Sequence, residues 1–154
     1  MSLSGFSSTP SGLMRRREAR RIAMTILYAQ ASTGYHQDEV IALLRGMRDD
    51  WTLQPHEFAI KLAQNVQLNG IELETEIQAV LENWRFDRIS LVERALLLLG
   101  CAEILYFPDI PPRVTINEYI ELAKAFSNEN APSFINGILD KLVHKTAKPD
   151  IQKR

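Results

Sequence analysis

The 154-residue chain has little of what proteins use outside a reducing compartment. It contains one cysteine, Cys101, so an internal disulfide cannot form and a stapled secretory architecture is excluded. No apolar run reaches the roughly 18 residues a membrane-spanning helix needs. The longest, Ala95 to Ala102, is closed by Arg94 and Glu103. The N-terminus lacks an apolar stretch behind a positive one, so it does not read as a secretory signal, and a cytoplasmic protein is expected. His36, His56 and His144 share no metal-ligand spacing with Cys101, and neither a glycine-rich phosphate loop nor a nucleophile elbow is present. No metal site, cofactor or enzyme is therefore expected. Sustained apolar–polar alternation is also missing, which argues against strands.

Charge of one sign is missing only in the total. The chain carries 18 Lys+Arg and 19 Asp+Glu, for a net charge of −1. Residues 1–37 hold five arginines (Arg15, Arg16, Arg17, Arg20, Arg21) and one acid, Glu18, for +4. Residues 38–93 hold five bases and eleven acids, for −6, and residues 94–154 hold eight bases and seven acids, for +1. A basic front end ahead of an acidic middle points to an acidic or nucleic-acid partner at the N-terminal end.

Helical periodicity fills most of the rest. Residues 1–13 are Ser, Gly, Thr or Pro at nine positions and read as a disordered tail. From Arg15, apolar residues Ile22, Ala23, Ile26 and Leu27 recur at helical spacing, with Arg17, Arg20 and Arg21 mostly off the stripe and Gly34 ending the pattern. A second helix fits Asp38–Met47 with Val40, Leu43, Leu44 and Met47 on one face. A third opens at Pro55 with Phe58, Leu62 and Val66. The Asn69-Gly70 turn signal separates it from a fourth, through Leu73, Ile77, Val80 and Leu81 to about Trp84. Ser90 and Glu93 form a capping box before Leu91 to Phe107, a helix apolar on nearly all sides and so expected at the centre of a bundle. Pro108, Pro111 and Pro112 end it. Thr115 and Glu118 form a second capping-box candidate, before a helix carrying Ile116, Ile120, Ala123 and Phe126 or Ser127. Asn130 and Pro132 open a last helix striped by Ile135, Ile138, Leu139 and Leu142. About seven helices in one all-α bundle result, with a polar tail at 147–154.

Particular blocks carry a likeness. They are Arg15-Arg16-Arg17-Glu18-Ala19-Arg20-Arg21-Ile22-Ala23 with Ile26-Leu27-Tyr28, then Phe86-Asp87-Arg88-Ile89 and Glu93-Arg94-Ala95-Leu96-Leu97. Ile110-Pro111-Pro112-Arg113-Val114, Ile116-Asn117-Glu118 and Glu121-Leu122-Ala123-Lys124 follow, and Phe134-Ile135-Asn136-Gly137-Ile138-Leu139-Asp140-Lys141 closes the set. Over about residues 15–145 this ordered set resembles the NusB family of bacterial transcription antitermination factors. The resemblance implies two helical halves over residues 14–146. It implies binding of single-stranded boxA RNA together with the ribosomal protein NusE, and loading onto RNA polymerase with other Nus factors. A homodimer would cover the arginine-rich surface. Related domains also occur fused to an RNA cytosine methyltransferase, and a helical interaction module without RNA binding is a further reading.

For RNA, Arg16, Arg17 and Arg20 are the candidate phosphate donors, since guanidinium groups bind phosphate in a bidentate fork. Tyr28 and Phe134 are candidate stacking platforms for unpaired bases, and Asn136 fits either a base edge or its own helix backbone. Tyr28 and Phe134 also fit the core. Gly137, which costs a helix about 1 kcal/mol relative to Ala, fits close helix packing or close RNA approach. For NusE the resemblance points to Glu93, Glu118 and Phe126, with Glu93 equally accounted for by its cap. Two positions depart from the family: Leu98 stands where Arg is frequent, and Asn130 where an acid is common.

Overall fold

The computed structural model describes residues 12–47 and 55–146, so the tail read at 1–13, apart from its last two residues, and the tail at 147–154 lie outside the described residues. Six helices follow in order: α1 (Gly12–Thr33), α2 (Gln37–Met47), α3 (Pro55–Val80), α4 (Leu91–Tyr106), α5 (Pro112–Phe126) and α6 (Ala131–Thr146). A 3-10 turn, Phe86–Arg88, lies between α3 and α4. No strand occurs among the described residues. The all-α reading holds, and the helix count is six instead of about seven because the two helices read on either side of Asn69-Gly70 run on from one another across a kink at that turn signal. Asn69 leaves helical geometry (φ −110, ψ 19). Its side-chain amide donates to the Asn65 carbonyl at 3.1 Å, which covers an acceptor that the kink disturbs. Leu62, Leu73 and Ile77 are all fully buried on either side of the kink, so both segments pack into the same core while the turn signal sets the break between them.

The apolar α4 runs through the middle and touches α1, α3, α5 and α6. Its start is the expected Ser90 N-cap, with Glu93 reaching back to the Ser90 hydroxyl: the Glu93 N–H donates to Ser90 Oγ (3.3 Å), and Ser90 Oγ donates to Glu93 Oε2 (2.9 Å). Gly100 lets α6 approach, for a Cβ there would lie 2.8 Å from Leu139 Cδ2. Helix α6 runs antiparallel to the second part of α3, with Lys141 on Glu82 and Lys145 on Glu76 at 3.1 and 2.7 Å. The other half joins α1, α2 and the first part of α3. Gln37, buried, donates through Nε2 to Gln30 Oε1 (3.0 Å) and to the Ala63 carbonyl (2.9 Å), tying the three together. Gly34 ends α1 with φ 77, its N–H donating to the Gln30 carbonyl at 2.8 Å.

Two local expectations are corrected. The buried face of α2 is Val40 and Ile41 with Leu44 half-buried, whereas Leu43 and Met47 face outward. The second capping box does not form. Helix α5 already starts at Pro112, where a proline loses no helical bond. Thr115 and Glu118 are therefore interior to the helix, and their side chains point to other elements.

Candidate nucleic-acid interface

The arginine-rich turn of α1 packs where the start of α3, the end of α4 and the start of α5 meet. Its five arginines do not share a fate. Arg16 is exposed and lies over the Phe58 ring, its guanidinium carbon 4.6 Å from the centroid. Phe58 in turn meets Phe107 edge-on at 5.9 Å. Arg17 keeps 56% of its side chain exposed, while its Nε donates to both carboxylate oxygens of Glu118 at 3.0 and 3.1 Å. Arg21 pairs with Glu18 one turn back.

Arg20 overturns its expected role. Its side chain is 1% exposed, and it grips the fully buried Glu103 with Nε to Oε2 at 2.7 Å and Nη2 to Oε1 at 2.9 Å. Thr115 Oγ1 donates to the same carboxylate at 3.0 Å and the Tyr119 hydroxyl at 2.5 Å. A carboxylate that accepts four hydrogen bonds and faces a guanidinium can be carried inside a core; an unpaired one cannot. Desolvation works against the Arg20 charge, but the bonds and charge of Glu103 outweigh it and hold the guanidinium's pKa above its ordinary value. Tyr119, wholly buried beside the Glu103 charge, is pushed well above the usual phenol range. With its fork spent on Glu103, Arg20 presents nothing to a phosphate. Its position carried the signal: Arg20 lies three and seven residues before the buried Ala23 and Leu27, on the apolar stripe itself. Glu103, an acid within the central apolar helix, is the matching signal from the other side.

Glu118 is likewise withdrawn as a partner contact, because it is nearly buried and bound to Arg17. Glu93 meets the residue that follows Phe126. The Ser127 hydroxyl, next in sequence to the exposed Phe126, donates to Glu93 Oε2 at 3.2 Å. Glu93 thus caps α4 and sits half-buried at the surface. Leu98 packs half-buried against the core.

The aromatic candidates also separate. Tyr28 is 45% exposed, which decides against a core role. It lies 12 residues beyond Arg16 on α1, about 18 Å along the axis. Phe134 is half-buried and meets the exposed Trp84 edge-on, with centroids 6.3 Å apart. Trp84 escaped the sequence reading; its signal is a large aromatic in the polar stretch Glu82-Asn83-Trp84-Arg85. Asn136 is exposed, and so is Gly137, where an added Cβ would meet nothing within 4 Å. Close helix packing is therefore not the reason for Gly137. The described candidates form no single pocket. Arg16 and Arg17 lie at the Phe58 end of α3, and Phe134, Trp84 and Asn136 lie beyond its other end, an arrangement that suits an extended chain.

The model of the NusB family matches residues 17–144. The transcription antitermination protein NusB of Natranaerobius thermophilus is 36% identical over 137 residues, covering 88% of this chain and 99% of its own length. The NusB of Listeria monocytogenes serotype 4a is 38% identical over 126 residues, covering 82% of this chain and 94% of its own. Among solved structures, T. maritima NusB superposes with a TM-score of 0.81 at 28% identity, covering 96% of this chain and 99% of that one. A chain from a crystal structure of the antitermination factors NusB and NusE in complex with dsRNA superposes with a TM-score of 0.78 at 26% identity, covering 86% and 98%.

Proposed function

The chain belongs to the NusB family, and from that premise we propose that it is a transcription antitermination factor that holds boxA RNA in single-stranded form together with NusE and loads with other Nus factors onto RNA polymerase. The observation that carries this reading is the match to NusB antitermination proteins along nearly their whole length, one solved relative being complexed with NusE and dsRNA. Its work is assembly. Arg16 and Arg17 supply phosphate contacts, which set affinity and register but carry little sequence information. Tyr28, Phe134 and the neighbouring Trp84 supply ring faces for unpaired bases, with Asn136 at a base edge. Glu93 and Phe126 face NusE, joining a carboxylate to an exposed ring for a basic ribosomal protein.

Titration of labelled boxA RNA, with and without NusE, tests this. The single strand binds more tightly than a duplex of the same sequence. NusE raises RNA affinity by the same factor by which RNA raises NusE affinity, since binding linkage is reciprocal. No RNA binding at either of two salt concentrations would return the protein to a helical interaction module, and equal binding of an unrelated single strand would remove boxA as its target. Sedimentation of the free protein reads whether a second copy covers the arginine end, in which case RNA shifts the dimer toward monomer.

A further inference from the structure

Arg17 is held by one edge only. Its Nε donates to both oxygens of Glu118, and among the described residues neither terminal nitrogen has a partner, so its outer N–H groups face outward from a side chain 56% exposed. The holder is anchored from behind. Glu118 is only 7% exposed, and its Oε1 lies 3.9 Å from Arg20 Nη1, a buried nitrogen without a hydrogen bond of its own. Arg20 is in turn fixed by Glu103. A chain of charges therefore runs from the core to the surface in the order Glu103, Arg20, Glu118, Arg17, with alternating sign. Each member except the last is buried.

We propose that Glu118 is a positioning residue for RNA: it locks the Nε edge of Arg17 so that the outer edge of the guanidinium is presented to an RNA phosphate. This rests on the reading of Arg17 as a phosphate contact. A free arginine side chain spends rotamer entropy when it captures a ligand, and a planar fork already fixed along one edge spends less. The opposite expectation is also clear. A carboxylate beside a phosphate site repels the phosphate, so a mere countercharge at 118 would weaken binding. Here the carboxylate is shared between two guanidinium groups, Arg17 and Arg20, which offsets its repulsion of an incoming anion. An arginine alone suits the arrangement. A lysine gathers its three donors on one nitrogen, so carboxylate and phosphate oxygens crowd the same point instead of lying on opposite edges of a plane.

The two roles of Glu118 predict opposite signs for one substitution. Glu118→Ala adds a positive increment to the site, yet under positioning it weakens binding of a single-stranded boxA RNA several-fold. It also flattens the log affinity–log salt slope by about 0.7, the share of one phosphate contact on a single strand. Glu118→Gln keeps an oxygen for the Arg17 Nε and retains the wild-type slope. Tighter binding by both variants would overturn the proposal in favour of a countercharge. Arg17→Lys, which keeps the charge, tests the same point without touching the core: it binds several-fold more weakly than wild type, and wild-type binding by the lysine variant would also overturn the proposal. Failure of the underlying reading looks different, since Arg17→Ala would then leave affinity and slope unchanged.

Discussion

The two ends of α3 handle polarity in opposite ways. At the Phe58 end, charge is driven inward: Arg20 and Glu103 are buried and bonded, Glu118 is nearly so, and only Arg16 and the outer edge of Arg17 reach solvent. At the Trp84 end, apolar surface is driven outward: Trp84 is 58% exposed, Phe134 half so, and Gly137 leaves α6 bare beside them. A charged core with a polar rim sets position. Exposed rings over open helix give contact area without charge. On the proposed reading, long-range electrostatic attraction and base contact act at separate ends, and substitutions at each end test them separately.

The largest effect is expected from the buried ion pair. Arg20→Ala or Glu103→Ala leaves one charge uncompensated in the core and should cost about 3–5 kcal/mol of stability, read from urea midpoints. Arg20→Met with Glu103→Leu together should recover part of that loss, because the uncompensated charge is gone while the buried Thr115 and Tyr119 hydroxyls are left without their acceptor. An Arg20→Ala variant as stable as wild type would break the contrast between the ends. The same region sets an alkaline limit. Burial and Glu103 raise Tyr119 above its unfolded pKa of about 10. Its contribution is therefore complete below pH about 10 and lost as pH rises toward the folded value. Burial, then Glu76 and Glu72, push the Cys101 thiol up to about 12, adding a loss that begins near pH 8.5. Stability that stayed flat from pH 8 to 12 would contradict both burials.

The next effect is on RNA. Arg16→Ala with Arg17→Ala should flatten the log affinity–log salt slope by about 1.4, at 0.7 for each phosphate contact, and should cost about 1–3 kcal/mol of stability because the nearly buried Glu118 loses its hydrogen-bond partner. Adding Arg20→Ala should change the slope no further. Trp84→Ala and Phe134→Ala should each cost about 1–3 kcal/mol of RNA affinity where a base stacks, and leave the slope alone. If these two changes altered the slope and the arginine changes did not, the assignment of charge to one end and contact to the other would be reversed.

Residue by residue, the local patterns were legible and the long-range pairings were not. The Ser90–Glu93 cap, the end of α1 at Gly34 and the α6 stripe are set by neighbours three or four positions away, and sequence spacing displays those directly. The +4 at the front was also arithmetically correct, but it did not survive folding. Glu103 and Glu118 come from 83 and 101 residues away to meet Arg20 and Arg17, and no local spacing encodes such partners. With Glu18 on Arg21, three of the five arginines face a carboxylate. Trp84 and Phe134 meet across two elements and were hidden for the same reason. Gly100 and Gly137 are indistinguishable as glycines in helices; only the packed neighbour Leu139 tells them apart.

That difference between glycines gives a smaller test. Gly137→Ala should stabilise the fold by about 1 kcal/mol, since an added methyl meets open space and the helix gains propensity. If RNA lies against α6, the same methyl should weaken RNA binding. Unchanged RNA affinity would remove Gly137 from the interface. Gly100→Ala should instead destabilise, as its Cβ runs into Leu139.

The smallest effect belongs to Asn130. It precedes α6 and is exposed; its N–H donates to Asn128 Oδ1 at 2.9 Å, and its carbonyl accepts from the Phe134 N–H at 3.2 Å. Asn130→Asp restores the acid common in the family and sets a negative charge on the positive end of the helix dipole, worth about 0.3–1 kcal/mol of added stability. The same charge stands one turn from Phe134, in the path proposed for RNA, and should weaken RNA binding by a comparable amount at low salt and by less at high salt. The two assays should therefore move in opposite directions. Equal RNA affinity at every salt concentration, with the stability gain intact, would show that the chain of phosphates passes elsewhere and leave the aromatic end to contact bases alone.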